Sequence, residues 1–248
     1  HRVVGLSSRD KQHWKVNVMS PKGALMQFQV SDVVCTLPPQ SLFDLLPSDW
    51  ALKSRYLKEL ENLPQPTGAI VFYGAINRIA LPKDCPAHLQ IATSDLGSLF
   101  LSISQEGDGR APLGQATLIA SAFTETAFWS KLDKSNYQKQ KQAVLQKIVE
   151  KLETYFCFDS CDWLHQELAT PKSFAKWTGR PHGIVGGLGQ HPSNFGPFGI
   201  SSRTPFRGLW LCGDSIHPGE GTAGVSQSAL MVCRQLLAEH GHQLNVGS

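Results

Sequence analysis

Apolar and polar residues alternate with a period of two near the start of the chain. The alternation covers Trp14–Val18 and Met26–Val30, which flank Pro21-Lys-Gly, and it predicts a β-hairpin. Apolar residues dominate Asp32-Val-Val-Cys-Thr, which predicts a buried strand that stops at Pro38-Pro39. Two short helices are predicted next, at Ser41–Leu46 and Arg55–Leu63.

The middle of the chain changes from strand patterns to one long helix. Residues between Gln105 and Gly114 are mostly Gly and polar, which predicts a loop. In Ser135–Phe156, apolar residues such as Val144 and Ile148 recur at helical spacing while Lys and Gln occupy the other face, which predicts an amphipathic helix. The strands predicted before this helix are Ala69–Tyr73, Leu89–Ile91, Leu99–Ile103 and Ala116–Phe123, an order that favours an antiparallel or mixed sheet.

The last third of the chain contains an irregular segment, a strand and a helix. The segment from His165 to Gly199 is dense in Gly, Pro, His and aromatic residues. This composition predicts irregular structure that wraps a ligand or a neighbouring domain. The pattern then predicts a final strand at Gly208–Cys212 and a final helix at Val225–His240 that stops at Gly241.

Composition excludes several classes of function. The chain has 248 residues, and its 41% hydrophobic content can fill a sizeable core. A net charge of +3 with scattered Lys and Arg argues against a nucleic-acid partner. No apolar run approaches the roughly 18–20 residues that span a bilayer. The six cysteines lack the spacing of a metal site and sit mostly in apolar surroundings, so we expect no metal and reduced thiols in an intracellular protein.

The chain begins His-Arg-Val-Val, without an initiator Met. We therefore expect it to be part of a longer protein or a processed product. The motif near its end is then half of a site whose other half lies elsewhere.

That motif runs from Gly208 to Leu230 and carries the strongest functional signal. A short buried strand leads into a turn with Asp214, then a glycine-rich loop, then a helix that opens near Gly221–Val225. Bare backbone N–H groups at the positive end of a helix suit an anionic or electron-rich ligand. A carboxylate after a strand end can accept hydrogen bonds from sugar or polyol hydroxyls. Together these features predict a cofactor site.

The same loop also matches a pattern that its context argues against. Gly219-Glu-Gly-Thr-Ala-Gly fits G-x-G-x-x-G between a strand and a helix. A dinucleotide-binding unit would continue with a second strand and an acidic residue roughly 20 residues further on. Here the chain ends soon after one helix, so we expect no complete dinucleotide-binding fold within it.

Three stretches resemble a known family. Leu209-Trp-Leu-Cys-Gly-Asp-Ser-Ile-His-Pro-Gly-Glu-Gly-Thr-Ala-Gly-Val resembles the C-terminal flavin motif of carotenoid desaturases and isomerases, in the flavin-dependent amine-oxidase-like superfamily. Ala169-Thr-Pro-Lys-Ser-Phe-Ala-Lys-Trp-Thr-Gly-Arg-Pro-His-Gly resembles the segment that precedes this motif in phytoene-desaturase relatives. Asp32-Val-Val-Cys-Thr-Leu-Pro resembles the strand that leaves the flavin domain. Within the family, the chain is most similar to cyanobacterial-type C-3′,4′ desaturases.

The resemblance implies FAD as cofactor and assigns residues to it. Asp214, beside Gly213 in the strand-end turn, would contact the ribityl or pyrophosphate region. At the flavin ring edge, the helix N-terminus would stabilise negative charge on the N1/C2=O side of the reduced ring. The residues expected to line this edge are Gly221, Thr222, Ala223, Gly224 and Val225.

His217 and Glu220 lie in the same loop and are the candidate catalytic residues. A histidine can act as acid or base near neutral pH, and a carboxylate can stabilise a developing polyene cation. The alternative is that both are hydrogen-bonding residues of the loop. His182 and His191 are weaker candidates in the segment predicted to wrap a ligand.

The implied reaction is hydride transfer from a saturated carbon pair of a polyene to flavin, with loss of a proton. A quinone or oxygen would reoxidise the flavin. Two alternatives stay open: a carotenoid cis–trans isomerase without net redox change, and a truncated lipid-binding module without catalysis. The substrate would be a carotenoid or other polyene lipid taken from a membrane surface by peripheral contact, through an apolar patch at Phe195, Phe198 and Ile200.

These features together predict an α/β (α+β) fold. We expect a substrate domain with a mixed or antiparallel sheet plus helices, and the closing strand and helix of a Rossmann-like FAD domain whose N-terminal βαβ unit is absent. The expected boundaries assign residues 1–47 and 206–248 to the FAD-binding domain and residues 48–205 to the substrate domain.

Overall fold

The alternating segments near the start of the chain form an antiparallel sheet. A computed structural model describes residues 1–10, 13–63, 66–189 and 191–245. Trp14 pairs with Val30 and Met19 with Leu25, which confirms the predicted hairpin. An unpredicted strand lies beside it, so the sheet runs in chain order: β1 (Arg2–Asp10), β2 (His13–Met19) and β3 (Leu25–Val30).

The next segment contains a short strand and three short helices. Ser54 begins the last of these helices, because its side chain accepts a hydrogen bond from the backbone N–H of Leu57. The predicted strand and both predicted helices are confirmed, and one helix was not predicted. The four elements are β4 (Val33–Cys35), α1 (Leu42–Leu45), α2 (Ser48–Lys53) and α3 (Arg55–Glu61).

A five-stranded antiparallel sheet follows, with all four predicted strands present. Its spatial order is β6-β7-β8-β5-β9, so the longest pairing joins the non-consecutive strands β5 and β8. The strands are β5 (Gly68–Asn77), β6 (His88–Thr93), β7 (Gly97–Ile103), β8 (Gln115–Thr124) and β9 (Trp163–Ala169).

Helices α4 (Thr126–Lys131) and α5 (Lys134–Phe156) separate β8 from β9. The predicted long helix is thereby confirmed. Asp133 begins α5, since its carboxylate accepts hydrogen bonds from the N–H groups of residues 135 and 136. The buried face of α5 and one face of the sheet share a core that includes Phe72, Leu101, Leu118, Ile148 and Leu152.

The predicted irregular character of His165–Gly199 is wrong for its first half. His165–Ala169 belongs to β9, which pairs along β5, and helix α6 (Pro171–Thr178) follows directly. A capping box at Thr170 and Ser173, with Pro171 in the first turn, starts this helix. Neither element shows clear hydrophobic periodicity. Strand β9 is ordered by its pairing with β5, and α6 is started by its capping residues.

The chain closes with the predicted strand, β10 (Leu209–Leu211), and helix α7 (Gly221–Glu239). The helix begins at Gly221, earlier than the predicted start at Val225. β10 pairs with β4 in parallel, Leu209 against Val33 and Leu211 against Cys35. The fold class is therefore the predicted mixture of helices with antiparallel and parallel pairing.

The chain divides into two compact units, residues 1–66 with 186–248, and residues 67–185. The first unit has its own core, which includes Leu6, Trp14, Leu42, Leu57 and Leu211. The boundaries between the two units follow residues 66 and 185, whereas the predicted domain boundaries follow residues 47 and 205. The assignment of those parts to a flavin domain and a substrate domain stays a prediction.

Cysteine environments are more varied than the sequence suggested. All six are free thiols; Cys35, Cys85 and Cys212 are buried, but Cys157, Cys161 and Cys233 are exposed. Burial raises the pKa of the Cys35 thiol. Within the described ranges, no three or more His, Cys, Asp or Glu side chains group as metal ligands would. Over the same ranges, no helix combines the length and apolarity needed to cross a bilayer.

Candidate functional site

The site is positioned by the parallel strand pair of the first unit. The N–H of Cys212 donates to the carbonyl oxygen of Cys35 at 2.9 Å, which continues the β4–β10 pairing to the strand end. Gly213 follows with a φ of +125°, in the region that favours glycine. Its carbonyl accepts from the N–H of Ile216 at 3.2 Å, so the chain turns sharply at Asp214.

Hydrogen bonds join the middle of α7, and the residue that follows it, to residues flanking the strand pair. The N–H of Gly213 donates to the buried Ser228 hydroxyl at 3.1 Å. Beyond the last turn, His240 Nε2 lies 2.8 Å from one oxygen of Asp32. The other oxygen accepts from the indole N–H of Trp210 at 2.9 Å. The glycine-rich turn is therefore held between a fixed strand end and a fixed helix.

An open cleft lies against this turn. One wall is the motif itself, residues 214–220. The other wall comes from the loop before β10, at residues 187–189, 194–196 and 199–200. Three predicted site residues line the cleft: Asp214, His217 and Glu220.

Asp214 and Glu220 have different surroundings in the cleft. Asp214 is half-buried, and its Oδ1 lies 3.3 Å from the hydroxyl of Ser215, which donates to it. Glu220 is exposed overall, but its Oε2 accepts from the backbone N–H of Gly187 at 3.2 Å. The carboxylate of Glu220 therefore joins the two walls of the cleft. This is the structural role, hydrogen bonding within the loop, that the sequence left open as the alternative to catalysis.

His217 is fixed through its backbone and carries an unpaired ring atom. Its N–H donates to the carbonyl of Ile200 at 2.9 Å. A Cβ added to Gly199 would lie 3.1 Å from the Cβ of His217, so glycine leaves room for the imidazole. Nδ1 is buried and has no hydrogen-bond partner among the described residues. The ring can therefore bond to a group entering the cleft.

The start of α7 is open. Gly221 has a φ of +82° and would have nothing within 4 Å of an added Cβ. The first turn contains no acidic residue, and Glu220 at the N-cap makes no capping side-chain bond. Thr222 and Ala223 are exposed, while Gly224 and Val225 are half-buried. The N–H groups of a first helical turn lack intrahelical partners, so this end is suited to an anionic or electron-rich group.

The chain is similar to chloroplastic prolycopene isomerases. The chain is 29% identical over 171 residues to a chloroplastic prolycopene isomerase of Daucus carota, covering 65% of the chain and 28% of that relative. The corresponding Arabidopsis thaliana enzyme is 28% identical over 65% of the chain and 29% of its own length. The chain is homologous to prolycopene isomerases. The predicted resemblance to carotenoid desaturases and isomerases is confirmed, and the narrower likeness to C-3′,4′ desaturases stays a prediction.

The chain matches only about three tenths of the length of these curated relatives. A third, prolycopene isomerase 2 from an Oncidium hybrid cultivar, is 26% identical over 68% of the chain and 30% of its own length. No family model matches the chain.

Two solved structures share the fold at low sequence identity. An oxidoreductase from Methanosarcina mazei superposes with a TM-score of 0.55 at 14% identity, over 94% of this chain and 48% of that one. The PF1083 protein from Pyrococcus furiosus gives the same TM-score and identity over 98% of this chain and 47% of that one. These likenesses establish the fold alone.

The sequence predicted that the segment forming most of the second wall wraps a ligand or a neighbouring domain, but it did not identify Gly187 or Asn194 as site residues. A Cβ on Gly187 would lie 2.1 Å from the carbonyl oxygen of Asp214, so only glycine permits this approach. Asn194 also faces the cleft. The glycines of residues 183–189 are the signal that could have indicated this wall. They do not have the G-x-G-x-x-G spacing, so no binding site was predicted there.

The weaker candidates lie outside the cleft wall, as far as the described residues define it. His191 Nδ1 is 2.8 Å from the Ser193 hydroxyl, and His182 belongs to the second unit. In the predicted membrane patch, the side chains of Phe195 and Phe198 are 46% and 70% exposed, whereas Ile200 packs partly on the core of the first unit. Membrane contact stays a prediction.

Proposed function

We propose that this chain forms part of an FAD-dependent oxidoreductase that acts on a carotenoid. The observation that carries this proposal is the sequence of features after β10: a sharp turn with Asp214, a cleft, and the open glycine start of α7. Homology to prolycopene isomerases supports a polyene as the substrate class.

The residues present fit FAD. The open first turn of α7 offers backbone N–H groups without a Cβ at Gly221, and Asp214 offers a carboxylate in the cleft. Two buried polar atoms of the cleft, Asn194 Oδ1 and His217 Nδ1, also await hydrogen-bond partners within the described structure. When bound, FAD supplies a two-electron acceptor for carbon–hydrogen bond cleavage.

Each part of the site then has a physical task. The Asp214 carboxylate accepts hydrogen bonds from cofactor hydroxyls, which orients the cofactor. The free N–H groups at the start of α7, those of residues 221–223, stabilise negative charge that develops beside them. Glu220 holds the loop at Gly187 against the motif, since its carboxylate bonds to that backbone N–H.

Two reactions are compatible with this site, and product analysis separates them. The resemblance to C-3′,4′ desaturases favours desaturation, in which two hydrogens leave the polyene and conjugation lengthens. Similarity to prolycopene isomerases favours a second candidate, isomerisation, which changes double-bond geometry but not composition.

We expect this chain by itself to be inactive, and the FAD-loaded oxidoreductase that contains it, incubated with carotenoids and a quinone, to give a red-shifted product with two fewer hydrogens. Mass spectrometry and absorption spectra of the extracted pigments measure this directly. A product of unchanged mass but altered geometry would assign isomerisation instead. If the wild-type protein changes no carotenoid, so that its extracted pigments match those from Asp214→Ala, the proposed function is wrong.

A further inference from the structure

Two buried polar atoms in the wall of the cleft have no hydrogen-bond partner among the described residues. They are Oδ1 of Asn194 and Nδ1 of His217, and neither contacts solvent. A buried polar group without a partner is unfavourable, and such groups in a native structure call for an explanation. Both residues line the same cleft, Asn194 from the loop before β10 and His217 from the motif.

The rest of each side chain is firmly anchored. Nδ2 of Asn194 donates to the carbonyl of Gly189 at 3.0 Å, which identifies Oδ1 as the remaining acceptor. The Asn194 backbone N–H donates to the carbonyl oxygen of His191 at 2.9 Å. His217 is held by its bond to Ile200 and by close packing on Gly199. The terminal torsions of Asn and His are broad, so a rotation can turn either atom into the cleft, and in Asn194 this rotation exchanges the Nδ2 bond to Gly189 for a bond to the ligand.

The shape and chemistry of the cleft select the kind of ligand edge. Glycines at 187, 189, 196, 199 and 219 line it, so much of its wall is backbone that a flat ring can approach closely. Asn194 Oδ1 requires a donor. His217, with its proton on Nδ1, requires an acceptor. A planar ring that carries an N–H next to a carbonyl satisfies both.

We propose that Asn194 and His217 recognise the pyrimidine edge of the flavin ring. Asn194 Oδ1 accepts a hydrogen bond from ring N3–H, and His217 Nδ1–H donates to a carbonyl oxygen next to it. This inference rests on the proposed function and deepens it, because it adds Asn194 to the site and gives His217 a binding role.

The test compares FMN with N3-methyl-FMN, in which the donor is replaced by a methyl group. Quenching of flavin fluorescence gives the dissociation constant of each for the wild-type protein and for Asn194→Ala. We expect the wild type to bind N3-methyl-FMN about tenfold more weakly than FMN, since one hydrogen bond is lost and Oδ1 stays buried and unpaired. In Asn194→Ala the two ligands should bind alike.

Asn62→Ala is the matched control. Its Nδ2 also donates to a backbone carbonyl, that of Lys58 at 2.8 Å, but Asn62 is exposed and lies outside the cleft. This variant should keep the tenfold preference for FMN. His217→Phe should weaken the binding of FMN and of N3-methyl-FMN about tenfold each, because it removes the hydrogen bond to the ring carbonyl. The tenfold preference for FMN should remain.

The outcomes separate this inference from the proposed function. Equal binding of FMN and N3-methyl-FMN by the wild type would overturn the subsite while leaving flavin binding intact. The same holds if Asn194→Ala retains the preference. If the wild-type protein binds neither ligand at millimolar concentration, both the subsite and the flavin role of the chain are overturned.

Discussion

We expect Asp214→Ala to lower the affinity for FAD by about ten- to hundredfold. The carboxylate lies half-buried in the cleft at the turn after β10, where it can accept charge-assisted hydrogen bonds from cofactor hydroxyls. Such bonds contribute about 1.5–3 kcal/mol. Since each 1.4 kcal/mol changes a binding constant tenfold, the predicted loss follows directly.

Flavin titration and the unfolding transition together measure this prediction. Asp214→Ala should remain folded but lose about 1–3 kcal/mol of unfolding free energy, because the buried Ser215 hydroxyl loses its acceptor. Asp44→Ala is the control, because Asp44 is an exposed aspartate of the same unit outside the cleft lining. If Asp214→Ala retains wild-type affinity, Asp214 is only a turn residue.

We expect Gly187→Ala to destabilise the protein by about 1–3 kcal/mol, the usual range for overpacking. An alanine Cβ at this position would lie 2.1 Å from the carbonyl oxygen of Asp214 and 2.8 Å from its carbon. Backbone cannot rotate away as a flexible side chain can, so the two walls of the cleft must separate. The hydrogen bond from Gly187 to Glu220 should be lost as well.

Denaturant unfolding followed by tryptophan fluorescence gives the change in the free energy of unfolding. Gly5→Ala is the matched control in the same unit, because its added Cβ would make only ordinary contacts, with the Asn17 side chain at 3.5 Å and the Leu45 carbonyl oxygen at 3.9 Å. That variant should remain within about 0.5 kcal/mol of the wild type. A Gly187→Ala protein as stable as Gly5→Ala, with undiminished flavin affinity, would contradict the close approach of the two walls.

The sequence by itself determined the elements that depend on local patterning. Period-two alternation encoded the β2–β3 hairpin, and helical spacing with Asp133 as cap encoded α5. The strand β10 and the loop around Asp214 were also predictable, because glycine is required where the backbone takes positive φ. These features are written in neighbouring residues.

Only the tertiary structure decided which distant residues meet. Strand β9 is ordered by pairing with β5, a partner far away in sequence, and its own composition does not reveal it. Gly187 packs against Asp214, and Asn194 lines one cleft with His217, because the loop before β10 returns to the motif turn. The path of a loop depends on the elements that it joins and on long-range packing. No local sequence pattern therefore shows which residues of the second wall meet the motif.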